Sequence, residues 1–227
     1  MGADYRFSSD LVLGLLGQLD WTDEHDDTVG TSASGFGWMV GPYVVARLTD
    51  TLIFDGRAAW GTSDNEVNAL GLFTDNFDTT RWLIRGQLTG DFQIEHVIIN
   101  PFVRLSYFEE KQEAYTDTLG NLIPSQTISL AQMKFGPKLS ARITAADGTT
   151  VTPHLTISGI WDFDQPQQTV TQGVAINTGG IRGRVEGGVA ITMPYGQSIN
   201  FEGFYDGIGS SQLEAYGGSL TISMPLN

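Results

Sequence analysis

Apolar and polar residues alternate at every second position through most of this chain, and that period restricts the secondary structure it can form. A β-strand sends successive side chains to opposite faces, whereas a helix would repeat its apolar positions about every 3.6 residues. From Leu11 to Trp21 one face reads Leu11, Leu13, Leu15, Gly17, Leu19, Trp21, and the other reads Val12, Gly14, Leu16, Gln18, Asp20. From Gly35 to Leu48, Phe36, Trp38, Val40, Val44, Ala46 and Leu48 alternate with Gly37, Met39, Tyr43, Val45 and Arg47. Leu52 to Trp60 and Trp82 to Ile94 follow the same rule, as do residues 97–108, 129–143, 151–163, 181–193, 199–206 and 215–226. With a short opening piece, Gly2–Phe7, the pattern predicts 11 strands in an all-β chain. Many reach the ~9–11 residues that cross a bilayer when tilted.

The connections alternate in length as regularly as the side chains alternate in polarity. Ser8–Asp10, Thr49–Thr51, Glu95–His96, Ala145–Thr149 and Tyr195–Gln197 read as short turns, separated by longer loops at 22–34, 62–80, 109–127, 164–179 and 207–214. Such a meander predicts one antiparallel up-and-down β-barrel over residues 1–227, with short turns at one end and long loops at the other. In an outer membrane the long loops would be extracellular and Asn227 periplasmic.

Composition narrows the class further. The net charge of −14 argues against a nucleic-acid partner, which would need a basic footprint. The absence of cysteine excludes disulfides, thiolate metal sites and cysteine nucleophiles. No run of about 18 apolar residues exists to form a spanning helix, and the opening residues show no signal-peptide pattern. A transmembrane barrel passes all of these filters because its hydropathy is near neutral.

Alternation alone does not say which face points outward, since a soluble lipocalin-like barrel buries the apolar side. Charge and tryptophan placement favour a membrane barrel. Charges in the strands fall almost wholly on the polar face. All five tryptophans, Trp21, Trp38, Trp60, Trp82 and Trp161, fall on the apolar face at the long-loop ends, joined by Tyr107, Tyr205 and Tyr216. Rings that are partly apolar and partly hydrogen-bonding collect at a membrane–water interface, so these eight are the expected aromatic girdle.

Little in the chain suggests bond-making chemistry. His25 lies in the acidic run Asp23-Glu24-His25-Asp26-Asp27, whose spacing does not fit an EF-hand and which reads as a solvated loop. His154 and Ser158 share a face but stand about 13 Å apart along a strand, too far to exchange a proton. His96 sits in a short turn. The expectation is no enzyme, no cofactor and no metal.

Several segments resemble the β-domain of the bacterial autotransporter family. They are Gly56-Arg57-Ala58-Ala59-Trp60-Gly61 with Ser63-Asp64-Asn65, Phe77-Asp78-Thr79-Thr80-Arg81-Trp82, and Pro101-Phe102-Val103-Arg104-Leu105-Ser106-Tyr107-Phe108-Glu109-Glu110. Glu202-Gly203-Phe204-Tyr205-Asp206-Gly207 and Glu214-Ala215-Tyr216-Gly217-Gly218-Ser219-Leu220 continue the likeness. The resemblance implies a 12-stranded outer-membrane barrel preceded by a helix in the pore. That barrel would anchor and export an N-terminal passenger in type V secretion. Its implied partners are outer-membrane lipid, its own passenger and linker helix, and the barrel-assembly machinery, and it would act as a monomer. The chain departs from the pattern in having 11 strands, so it reads as N-terminally truncated, without the first strand, helix and passenger. It also ends Met224-Pro225-Leu226-Asn227, without the usual terminal aromatic. A stand-alone small diffusion channel is the alternative function.

The polar face carries 11 of the 12 basic residues, all but Lys111. They are Arg6, Arg47, Arg57, Arg81, Arg85, Arg104, Lys134, Lys138, Arg142, Arg182 and Arg184. The acids on that face are Asp4, Asp20, Asp55, Asp91, Asp162, Glu186, Glu202 and Asp206. These are the expected lumen-lining charges. They fit a ladder of cross-strand ion pairs, and the resemblance implies that the basic wall also touches a threading segment.

Overall fold

The computed structural model describes residues 2–26, 30–68, 71–164, 180–210 and 213–225. Residues 165–179 of the expected 164–179 loop, together with Asp27, Leu226 and Asn227, lie outside the described residues. The strands are β1 (Gly2–Arg6), β2 (Leu11–Asp26), β3 (Thr31–Thr49), β4 (Leu52–Asn68), β5 (Asp75–Gly90), β6 (Phe92–Ile94), β7 (Val97–Gln112), β8 (Tyr115–Thr116), β9 (Leu122–Ile123), β10 (Gln126–Ala141), β11 (Ile143–Thr144), β12 (Thr150–Asp164), β13 (Ile181–Thr192), β14 (Ser198–Ile208) and β15 (Ala215–Ser223). The main sheet runs β1-β2-β3-β4-β5-β7-β10-β12-β13-β14-β15, with β6 beside β7 and β11 beside β12. Each pair of neighbours along this path is antiparallel, so the chain forms the up-and-down barrel that its alternation implies.

Burial decides the facing. The alternate residues Leu15, Leu19 and Trp21 of β2 are 62%, 52% and 71% exposed on the outer face. The buried side chains include Ser63, Thr79, Thr156, Ser158, Asp162 and Asp206. A soluble barrel would reverse this arrangement, so the apolar face meets an apolar surrounding and the polar face lines the bore.

The strands are longer than their hydropathy suggests. Residues 22–26, 31–34, 62–68, 75–80 and 109–112, expected in loops, continue the hydrogen-bonded ladders past the tryptophan level. Above that level polar residues occupy both faces, so the apolar–polar contrast ends while backbone pairing continues. His25 and its acidic neighbours Asp23, Glu24 and Asp26 therefore belong to β2, not to a loop. The span expected as a 109–127 loop also contains the small β8–β9 hairpin.

The short turns are built by glycine where the backbone demands it. Gly148 (φ 85) and Gly196 (φ 87) each donate to the carbonyl three residues back, while the Ala145 and Met193 N–H groups donate to the Thr149 and Gln197 carbonyls and close the turns. That left-handed position disfavours any residue with a Cβ. Glycine also makes room for rings inside the wall. A methyl at Gly14 would lie 2.4 Å from the Tyr43 ring, so the ring lies flat over that position with its hydroxyl donating to Asp4 Oδ2 at 2.7 Å.

Candidate functional site

The candidate site is the bore, and its side chains follow from register. Inner positions of neighbouring strands face one another across about 5 Å, so charged residues form pairs or clashes according to which residues the ladder places opposite. Near the long-loop end, Arg81 of β5 reaches over two intervening strands to Asp20 of β2, Nη1 to Oδ2 2.7 Å. A methyl at Gly37 would lie 2.5 Å from Arg81 Nη1 and 2.7 Å from Asp20 Oδ2, so glycine there keeps the path open. Arg81 Nε also lies 3.1 Å from Glu110 Oε1, and Glu110 accepts from the Thr79 hydroxyl at 2.9 Å. The Ser63 and Thr79 hydroxyls are 2.6 Å apart, and Asn65 donates to Ser63 Oγ at 2.8 Å.

A second network ties β12, β13, β14 and β10. Arg182 bonds Asp162 and also Asp206, the latter at 3.0 Å. Arg184 contacts Asp206 at 3.5 Å and Glu186 at 2.9 Å, and its guanidinium stacks 3.9 Å over the Phe204 ring. Lys134 donates to Glu186 at 2.6 Å. Lower in the barrel His154 Nε2 lies 3.0 Å from Glu202 Oε2. Ser158 donates instead to the Arg184 carbonyl at 3.3 Å, so His154 and Ser158 form no catalytic pair.

A third group is different in kind. Arg57 stands opposite Arg85, and Arg104 stands opposite Lys134. Asp55 approaches Arg85 only to 3.6 Å, and Arg104 donates through Nε to the Gln87 amide oxygen at 2.6 Å. Lys138, opposite Asn100 and Thr156, has no ion pair among the described residues.

Three of the charges expected along the lumen lie at its short-turn rim. Arg47 is 3.9 Å from Asp10, Asp91 accepts from Asn100 at 3.1 Å, and Arg142 is exposed beside the β10–β11 junction. They are placed there because their strands end within a residue or two. Arg6 and Asp4 sit on the exposed first strand, β1. Glu110, Ser63 and Thr79 are bore residues in segments whose hydropathy predicts loops. The signal for Glu110 was present, because Phe102, Arg104, Ser106 and Phe108 lead to it at alternate positions.

The aromatic residues fall into register on the outer face. Trp38 meets Trp60 edge-on at 5.3 Å between centroids, Trp60 meets Trp82 at 6.5 Å, and Trp21 meets Phe36 at 5.4 Å. Trp161 packs on Phe163 at 5.4 Å, Tyr205 stands opposite Tyr216, and Tyr107 stands opposite Ile84 beside them.

A polar, ion-paired bore enclosed by strands with an apolar outer face defines a transmembrane β-barrel of the outer-membrane class. More narrowly, the chain belongs to the autotransporter β-domain family, whose description matches residues 1–206. The β-domain of the Bordetella autotransporter BrkA is similar at a TM-score of 0.68 and 17% identity, covering 97% of this chain and 83% of that one. The transport unit of AIDA-I from Escherichia coli is similar at 0.67 and 13% identity, covering 99% and 80%. At such identities the likeness is one of fold. No curated protein matches the chain. Family and fold together support a translocator-barrel role in type V secretion, in an outer-membrane context.

Proposed function

We propose that this barrel anchors an N-terminal passenger in the outer membrane and provides the conduit for its export, with residues 1–227 acting as one unit. The observation that carries the reading is the match to the autotransporter β-domain over residues 1–206. A bore lined by hydrogen-bonding and charged groups suits a peptide in transit, whose backbone would otherwise lose its water partners. The eight aromatic residues serve as the outer-leaflet girdle. The long-strand end then faces the cell exterior and the C-terminus faces the periplasm. The barrel-assembly machinery inserts it, and it works as a monomer. No bond-making step is part of the role, since His154 is committed to Glu202 and Ser158 to a backbone carbonyl.

A small diffusion channel is the second reading, favoured by the under-neutralised cations at mid-bore. The two separate in one experiment. An epitope-tagged segment is fused upstream of Gly2 behind a signal peptide and probed with antibody on intact cells. Export places the tag on the surface. A tag that stays protected while the barrel resists SDS in the outer-membrane fraction removes the export reading in favour of the channel.

A further inference from the structure

Four cations on four adjacent strands of the main sheet are opposed in like-charged pairs, Arg57 with Arg85 and Arg104 with Lys134. Gln87, two residues from Arg85 on the same face, stands opposite Arg104 and joins the two pairs into one belt. Like charges directly opposed in a sheet repel, and the belt holds together only if negative charge lies among them. The nearby carboxylates do not supply enough. Asp55 stays 3.6 Å from Arg85, and Glu186 is shared by Lys134 at 2.6 Å and Arg184 at 2.9 Å. Arg57 and Arg85 each keep a buried Nε with no hydrogen-bond partner. So do Arg81 and Arg184, but each of those meets two carboxylates, whereas Arg85 meets one at 3.6 Å and Arg57 meets none among the described residues. The terminal nitrogens of Arg104 make no hydrogen bond or ion pair among the described residues.

The same wall shows that the fold can neutralise arginines where it needs to. Arg182 and Arg184 share Asp162, Asp206 and Glu186 between them. The belt instead leaves unfilled donors three residues, about 10 Å, below the Trp60–Trp82 pair, deep in the membrane-spanning part of the bore. Unsatisfied guanidinium N–H groups in a low-dielectric bore match an acceptor that takes several forked donors at once. A chloride ion is a single sphere and fits this poorly, whereas a tetrahedral oxyanion offers an oxygen to each fork.

We infer that Arg57, Arg85 and Arg104 form a binding site for a tetrahedral oxyanion of the phosphate or sulfate class within the bore. The site stands independently of passenger export. The test is calorimetric titration of the folded full chain in detergent with inorganic phosphate, at an ionic strength held constant with sodium chloride. Saturable binding is expected, together with a higher unfolding temperature read from the folded and unfolded bands on an SDS gel. Arg57→Gln and Arg85→Gln are each expected to weaken binding ~10-fold or more. Lys111→Gln, which removes a cation paired with Glu113 outside the belt, leaves binding unchanged. Should the neutral variants not fold, Arg57→Lys keeps the charge, loses the fork and is still expected to bind more weakly. No phosphate-specific response in the wild-type chain overturns the site, as does an undiminished response in every folded belt variant. Binding of a glutamate-rich peptide with no phosphate binding also overturns it and makes the belt a peptide contact.

Discussion

Leu88 provides a quantitative test of which face meets lipid. It lies on the outer face of β5, 38% exposed, opposite Phe54 on β4 and Val103 on β7. Six residues separate it from Trp82, which is about 20 Å along the strand and about 15 Å along the membrane normal at a typical tilt. An outward apolar band is about 25 Å tall, so Leu88 falls near its middle. Leu88→Arg therefore forces a cation into hydrocarbon and is expected to cost about 2–4 kcal/mol, or ~30- to 900-fold in the folding equilibrium. Ala190→Arg is the matched control. It lies on the inner face of β13 opposite Asn200, with Glu202 one inner position along β14, and is expected to cost less than about 1 kcal/mol. The assay is urea unfolding in lipid vesicles, followed by tryptophan emission and the heat-dependent gel shift. An inner-face arginine that costs as much as the outer one would refute the assignment of faces.

Three further outcomes follow from named contacts. Asp206→Asn removes the charge that Arg182 and Arg184 share at a site whose carboxylate is 8% exposed. It should lower stability by about 2 kcal/mol in the same unfolding assay, because Asp162 and Glu186 still hold the two arginines. Any unplugged, ion-conducting form is expected to prefer chloride over potassium at high salt, where the acidic mouth is screened and the mid-bore arginines are not. The reversal potential under a potassium chloride gradient reads this, and clear cation preference would mean that the belt is neutralised. Outside the membrane, Asp117 accepts from Asn121 through its side chain at 3.0 Å and its backbone N–H at 2.7 Å, which holds its carboxyl below the usual carboxylate range. A depressed pKa contributes order that is present above the ordinary carboxylate value and lost as pH falls through the folded value. The Asn121 amide should therefore stay protected from exchange at about pH 5 and lose protection toward about pH 2. Protection unchanged across that range would dismiss the carboxylate as the hairpin's clasp.

The barrel was legible in the sequence wherever its two faces meet unlike surroundings. Leu13, Leu15 and Leu19 face lipid while Gly14, Gln18 and Asp20 face the bore, so period two is written into β2. At Asp23–Asp26, Thr62–Asn68 and Asp75–Thr80 both faces carry mostly polar residues, so the apolar–polar alternation fades. The ladder there is held by backbone pairing and by polar side-chain bonds such as Ser63 to Thr79, neither of which hydropathy records. The girdle was legible because tryptophan is sorted by depth and depth follows position along each strand. The bore's charges were legible as a set but not as partners. Arg81 finds Asp20 three strands away because Gly37 leaves the way clear, and a linear reading has no access to that crossing. The opposition of Arg57 to Arg85 likewise depends on register across a loop whose length hydropathy overestimated.

The central claim is that the apolar face, with its tryptophan ring near one interface, lies against lipid. Because all five tryptophans belong to that ring, their combined emission reports on one depth. Reconstitution into vesicles of lipids brominated at successive chain positions measures it directly. Quenching is expected to be strongest for bromines near the headgroup and weaker toward the chain ends, with little quenching by aqueous acrylamide. Full acrylamide quenching with no response to any brominated lipid, in protein shown to be folded, would contradict the claim.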